Sequence, residues 1–415
     1  MLIEIFTQQG FTTVLEQSAN GYNSVTFDYT GSAIRELGST YKRMVSTSGT
    51  SVDIAKSIKS ISQINGDILI KDTDSLRILS NPIINKRVWD LFREACEAVR
   101  GAGVDINFAY TEKNAIIQVD RNSTEKKEEH FFFTVWDRHD PINSQYVLRT
   151  DCDNLNKTIP DLKKLRDWIH IKRKLKTRLN GGKHKVLFAK GIGGIFLHEI
   201  YGHHLEMNDQ VGKSLSLAKK LLNTQHSDKL TLIDGDFALA AEQVHDDEGT
   251  KKREVVLIDK GRIINKLTDK RALIDNLGLE LTGNARRESY LHYPSPRMCR
   301  TFVQNGKSLP DQAISEIDYG FFAEEISYAS YSRVNGDVVC CVSKGRIIRN
   351  GKITDIPVTF FISHNALTPL KILHTCNDLK FLPGGCSSIS GRLYVELGSP
   401  TMSFDELEVS GVFSY

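Results

Sequence analysis

The chain has 415 residues, 40% of them apolar and 25% charged, with a formal net charge of +3. That length predicts two domains with full cores, and the near balance of charge demands no polyanionic partner, so nucleic acid is not expected. No apolar run approaches the ~18 residues of a membrane span, and Met1-Leu2-Ile3-Glu4-Ile5 lacks the basic and apolar regions of a signal peptide, so no membrane partner is expected.

The first 85 residues are polar and rich in Ser, Thr and Ile, with short β-prone runs and a helix expected around Ser51 to Ile64. From Asn85 to Val99 the apolar residues Val88, Leu91, Phe92, Ala95 and Val99 recur at helical spacing, and Gly101 and Gly103 end the helix. Asp105 to Val119 and Glu129 to Trp136 alternate like strands, with a charged loop expected from Asp120 to Glu128. Lys157 to Lys185 carries 11 Lys and Arg against two Asp. It reads as an amphipathic helix starting at Pro160-Asp161, with Leu162, Leu165, Trp168 and Ile169 as its apolar stripe; its basic face is either solvated, the reading preferred here, or a patch for an anionic substrate or nucleic acid. Asn180-Gly181-Gly182 breaks the chain and sets a domain boundary between 1–182 and 183–415.

Beyond it, Val186 to Ala189 reads as a strand and Gly191-Ile192-Gly193-Gly194 as a turn used for close backbone packing. No Gly-Lys-Ser/Thr follows, which excludes a phosphate loop. Hairpins are expected at Asp259-Lys260-Gly261, Asn335-Gly336 and Asn350-Gly351, the last two as type I′ turns. Lys260-Gly261-Arg262-Ile263-Ile264 recurs as Lys344-Gly345-Arg346-Ile347-Ile348, read either as two similar hairpin units or, in preference, as shared turn chemistry. The fold class is therefore α+β: an N-terminal mixed domain of antiparallel strands and helices, then a C-terminal antiparallel sheet or barrel-like domain. The seven cysteines are odd in number and scattered, which fits free thiols in a reducing cytoplasm.

The chemistry centres on His198-Glu199-Ile200-Tyr201-Gly202-His203. This H-E-x-x-x-H pattern is one residue longer than the H-E-x-x-H zinc-hydrolase signature. In an ideal helix, residues i and i+4 lie about 40° apart and i and i+5 about 140° apart, so the two imidazoles would not share a face. A turn wound wider than α, eased by Gly202, is the expected remedy, with His203 rather than His204 turned to the metal. Catalytic zinc usually takes three protein ligands and an open position. Glu206, His245, His292, His364, His374 and Cys386 are all third-ligand candidates by residue type.

Further motifs resemble the TldD/PmbA family of cytoplasmic metallopeptidases. His198 to Glu206 is similar to that family's H-E-x-x-G-H-x-L-E segment, and Asp246-Asp247-Glu248-Gly249 to its acidic turn. Thr282 to Tyr290, followed by Pro294-Ser295-Pro296-Arg297-Met298, resembles its G-N-x-R-R-E-S-Y…P-x-P-R-M block. The resemblance covers most of the C-terminal half and, more weakly, the preceding domain. It implies Zn2+ held by His198, His203 and Cys386, with Glu199 as general base. It also implies a zinc-bearing subunit that cleaves unfolded or leader peptides in a closed cleft, as a heterodimer with a zinc-less paralogue or as a homodimer. The cysteine loop, Gly384-Gly385-Cys386-Ser387-Ser388-Ile389-Ser390-Gly391-Arg392, departs from the family's G-x-C-G-K-x-G-Q: the glycine after Cys386 is gone.

Gly384 and Gly385 are candidate substrate contacts. Arg286 and Arg287 offer guanidinium forks for a peptide carboxylate, or ion pairs with Glu288 or Asp247. His292 offers a donor to an oxyanion, or is a loop imidazole held by backbone. Asp246 and Asp247 are either supports for the ligand imidazoles or a plain acidic turn. Two other functions compete: a peptide-binding or regulatory subunit with a structural metal, and a cysteine hydrolase built on Cys386.

Overall fold

The computed structural model describes residues 2–18, 21–37, 42–47, 86–119, 122–137, 139, 145–150, 155–207, 213–235, 244–275 and 279–414. The helix expected around Ser51 to Ile64 lies outside them. In the N-terminal part, β1 (Leu2–Ser18), β2 (Gly21–Leu37), β3 (Lys42–Thr47), β4 (Val104–Val119), β5 (Asn122–Asp137) and β6 (Gln145–Thr150) form an antiparallel sheet in the order β3-β2-β1-β4-β5-β6. Helices Lys86–Ala98 and Leu155–Lys172 cover it. Leu91, Phe92, Ala95, Leu162, Leu165 and Ile169 from the helices share a core with Phe108, Phe133 and Val135 of the strands.

Two local expectations are corrected here. From Asn122 the charged run is strand, not loop, and Val119 pairs with Asn122. A strand tolerates such charge when an inward lysine finds a carboxylate, as Lys126 finds Asp247 at 2.6 Å. The basic helix starts at Leu155, ahead of Pro160, so the proline sits exposed in its second turn.

The C-terminal part is sheet-rich around a barrel. Strands β8 (Gly182–Phe188), β15 (Tyr319–Tyr331), β16 (Asp337–Arg349), β17 (Lys352–Asn365) and β21 (Met402–Ser414) pair in that order, and β21 closes the ring by pairing with both β17 and β8. β7 (Thr177–Leu179) and β18 (Lys371–Thr375) add to β21. A second sheet runs β11 (Arg262–Ile263), β10 (Val255–Asp259), β9 (Leu232–Asp234), β14 (Arg300–Val303), β20 (Gly391–Ser399), β19 (Lys380–Ser388). A short ribbon joins β12 (Ala285–Arg286) to β13 (Ser295–Pro296). The sheets are not purely antiparallel as expected: β8 pairs parallel with β15, and β14 with β20. Both pairs are joined by long crossovers, and parallel neighbours require such connections.

The hairpin turns divide. Asn350 (φ 48°) and Gly351 (φ 69°) are both left-handed and join Arg349 to Lys352, as a type I′ turn requires. Asn335-Gly336 is instead the end of a wider loop. Tyr331 pairs with Val338, Gly336 N–H bonds Ser332 O, and the Asn335 side chain is spent on Asp337. The sequence echo has no common turn either: Lys260-Gly261 is a turn, whereas Lys344-Gly345 lies inside β16.

Helix Ile192–Ile200 crosses from the barrel to the second sheet. It is apolar nearly all round, which suits a helix covered on several sides. Phe196 stacks on Phe188 of β8 and meets Phe404 of β21 edge-on. Gly191 (φ 89°) makes the turn, but Ile192, Gly193 and Gly194 are helical rather than part of it. Gly194 lies flat on Gly398 of β20, where a Cβ would come within 2.9 Å of backbone atoms. Gly194→Val is expected to force helix and strand apart and to cost roughly 1–3 kcal/mol. Denaturant unfolding checks this, and an unchanged midpoint would refute the contact's role.

Candidate metal centre and its cavity

The helix that carries His198 and Glu199 ends at Tyr201, and Gly202–His204 is a separate 3-10 turn. His204 N–H bonds Tyr201 O at 3.1 Å, and Leu205 N–H bonds both Tyr201 O and Gly202 O. The expectation of a turn wider than α is therefore wrong: the chain breaks and then winds tighter. Nor does one helix carry the whole motif. Gly202 has a different reason from the one expected, since a Cβ there would collide with Met298 Sδ.

The break swings His203 back beside His198, with ring centroids 4.6 Å apart. Cys386 reaches the same point from β19, its Sγ 3.2 Å from His203 Nε2. One donor atom each from His198, His203 and Cys386 lies within 4.8 Å of the other two, and all three side chains are buried. Glu199 Oε2 is 4.0 Å from His203 Nε2. Burial raises the Glu199 carboxyl above the usual carboxylate range, although His203 nearby opposes the rise. Burial and the neighbouring His203 hold the His198 imidazole well below its usual pKa, whereas His203, against the effect of its own burial, is held well above by Glu206 and Cys386.

These residues fit a zinc ion. Imidazole and thiolate both ligate zinc, and three such protein ligands leave the fourth position of a catalytic site open. The buried Nδ1 of His198 finds no hydrogen-bond partner among the described residues, so the protein's own network does not consume this imidazole. His203 Nδ1 is 3.1 Å from Glu206 Oε2, the carboxylate–imidazole contact that fixes a ligand's tautomer. The remaining third-ligand candidates lie elsewhere or are engaged. His364 bonds Thr368 O, His374 lies between Ser308 and Glu316, and His292 meets Ser289. His245 sits in a bridge with Lys251.

Arg297, which sequence reasoning placed in a motif but gave no role, ties the site together. Its guanidinium is buried and lies 3.4 Å from Glu206 Oε1. It donates to Cys386 O at 2.9 Å, to Ser390 Oγ at 2.9 Å and to Gly391 O at 3.3 Å. The signal was available: an arginine in a block with no other chemical purpose. Tyr331 was missed entirely, and its ring stacks on His203 at 4.2 Å and 10°.

A cavity of about 580 Å³ opens onto the cluster, lined in part by His198, Glu199, Ile195, Tyr328, Gly384 and Gly385. Arg287 and His292 are not among its lining residues. Arg287 is fully buried; it donates to Asp247 O, and its guanidinium lies 4.1 Å from the Phe6 ring. Its backbone N–H bonds Asp247 Oδ2, and Lys113 Nζ bonds its carbonyl. That geometry makes Arg287 a strut between the N-terminal sheet and the C-terminal part rather than a substrate clamp. Arg286 is likewise spent, on Met298 O and Tyr394 O. Asp246 accepts backbone N–H groups from Glu248, Thr250 and Ala285, as an acidic turn does.

Residues 181–411 match the PmbA/TldA metallopeptidase C-terminal domain, more than half of the chain, and the chain belongs to that family. Its relatives include a metalloprotease TldD homolog of Buchnera aphidicola, 32% identical over 236 residues, which are 55% of this chain and 48% of that protein. A zinc metalloprotease TldD homolog of Saccharolobus solfataricus is 27% identical over 235 residues, 55% of this chain and 52% of that one. The chain thus spans about half the length of the curated relatives it matches. TldE from Thermococcus kodakarensis shares the fold, with a TM-score of 0.70 at 16% identity over 99% of this chain and 97% of that one. Among the described residues no helix is long and apolar enough to cross a membrane.

Arg297→Leu withdraws a buried cation from Glu206 and three hydrogen bonds from the Cys386 hairpin. A loss of roughly 3–5 kcal/mol in unfolding free energy is expected. A loss below about 1 kcal/mol would show that the guanidinium is dispensable.

Proposed function

We propose that this chain is a zinc-dependent peptidase in which His198, His203 and Cys386 hold the metal and Glu199 is the general base. The convergence of those three donors beside Glu199, with His198 and Glu199 lining one cavity, carries the reading. Zinc supplies Lewis acidity that polarises a peptide carbonyl and eases deprotonation of water. The Glu199 carboxylate takes the proton of the attacking water and passes it to the leaving amine. Glu206 keeps His203 in one tautomer through Nδ1.

The substrate is an extended peptide. Among the described residues β19 pairs only with β20, so its other edge offers unpaired backbone groups next to Cys386. Strand addition there would hold a peptide by its main chain, with Gly384 and Gly385 allowing close approach. Such main-chain recognition suits unfolded or leader peptides, including the precursor of a ribosomally made, modified peptide. The family resemblance supports a closed cleft completed by a second subunit, either a zinc-less paralogue or another copy, and a cytoplasmic setting.

Glu199→Gln is expected to keep zinc bound at wild-type stoichiometry and to slow cleavage of an unfolded peptide by roughly 10²–10⁴-fold. Unchanged cleavage with zinc in place would remove Glu199 from the mechanism. Chelation is expected to abolish activity and zinc to restore it. Full activity in the metal-stripped protein would favour a Cys386 thiol mechanism instead.

A further inference from the structure

Beyond the donors and Glu199, the loop between β15 and β16 reaches the same cluster. Tyr331, the last residue of β15, stacks face to face on the His203 imidazole and meets His204 edge-on at 5.6 Å. Two residues on, Arg333 donates from Nε to Tyr331 Oη at 2.7 Å. Its terminal nitrogen donates to Ser388 Oγ at 3.2 Å and lies 3.8 Å from Glu206 Oε2. Each contact leads to a proposed ligand. Tyr331 touches His203 itself, Glu206 holds His203 Nδ1, and Ser388 stands two residues past Cys386 on β19.

We infer that Tyr331 and Arg333 form a clamp that sets the His203–Cys386 geometry, with Arg333 as the positioning residue that binds the two ligand-bearing segments to each other. The inference rests on the zinc reading above. His203 sits on a short 3-10 turn and Cys386 on a strand that pairs on one side only among the described residues, so neither element fixes their separation. A planar guanidinium with five donors in a fixed fork can span a ring partner, a carboxylate and a hydroxyl at once, whereas an ammonium gathers its three donors on one compact, freely rotating head. Arg297 performs a similar service from beneath, through the Cys386 carbonyl, but it is fully enclosed. Arg333 is about 30% exposed and works from the solvent side. It therefore acts where a substrate or a second subunit could reach it.

The test uses the full-length chain. Zinc affinity is measured by chelator competition, and cobalt-substituted protein is followed through its thiolate-to-metal absorption band. Arg333→Met is expected to weaken zinc binding about 10–100-fold, the usual effect of losing a partner behind a ligand. The cobalt thiolate band should shift or weaken, while the unfolding midpoint of the metal-free chain stays at the wild-type value. Arg333→Lys should recover only part of the affinity, and Ser388→Ala, which removes one arm of the clamp, should give an intermediate loss. Zinc affinity and cobalt spectrum unchanged in Arg333→Met would overturn the inference, as would full rescue by lysine. Should Arg333→Met fail to fold, Ser388→Ala with wild-type affinity and spectrum would overturn it just as directly. A wild-type chain that binds neither metal would overturn the zinc reading itself, a result separate from any difference among variants.

Discussion

One buried guanidinium holds the site in register. Arg297 faces Glu206 on one side and the Cys386 carbonyl on the other, so the carboxylate behind His203 and the strand that carries the thiol share one cation. A charge buried this completely is tolerable only when paired and hydrogen-bonded, and here every contact serves one end of the donor cluster. The positions of His203 and Cys386 are thereby coupled although 183 residues separate them. The helix is placed independently, by the glycine contact of Gly194 on Gly398. That contact brings His198 and Glu199 down onto the sheet whose edge bears Cys386.

The N-terminal sheet is joined to this frame by polar struts. Lys126 pairs with Asp247, Lys113 bonds the carbonyl of Arg287, and Phe6 faces the Arg287 guanidinium. Tyr290 joins Phe6, Ala33, Ala115 and Ile117 in a small apolar cluster, and its N–H bonds Gln8 Oε1. The strut continues toward the metal cluster, because Glu288 N–H bonds Ser390 O and Ser390 Oγ accepts from Arg297. Asp247 and Arg287 thus serve as a joint between the two halves of the chain, close behind the cysteine hairpin.

Much of this was legible in the sequence where the signal was local. Helical spacing marked Leu91, Phe92, Ala95 and Val99, and each is buried. The apolar stripe from Leu162 to Ile169 is buried as well, and Asn350-Gly351 makes the turn its residues demand. The motif placed His198, Glu199 and His203 in one short segment. What failed was whatever depended on distant partners. A wider helical turn was the local remedy for the i, i+5 spacing; the structure uses a break at Tyr201, and Met298, nearly a hundred residues away, fills the space beside Gly202. The strand from Asn122 looked like a charged loop because its lysine meets a carboxylate 121 residues on. Arg287 looked available to substrate for the same reason: its burial under Phe6 comes from the far end of the chain. Tyr331 and Arg333 carried no spacing signal, since a stacking contact leaves no local pattern.

The central claim is that two imidazoles and one thiolate from this chain hold zinc. X-ray absorption at the zinc edge of the purified, metal-loaded protein tests it most directly. The account predicts one sulfur at about 2.3 Å and two imidazole nitrogens at about 2.0–2.1 Å, with the sulfur lost in Cys386→Ser. A shell of nitrogen and oxygen alone in the wild-type protein would contradict it.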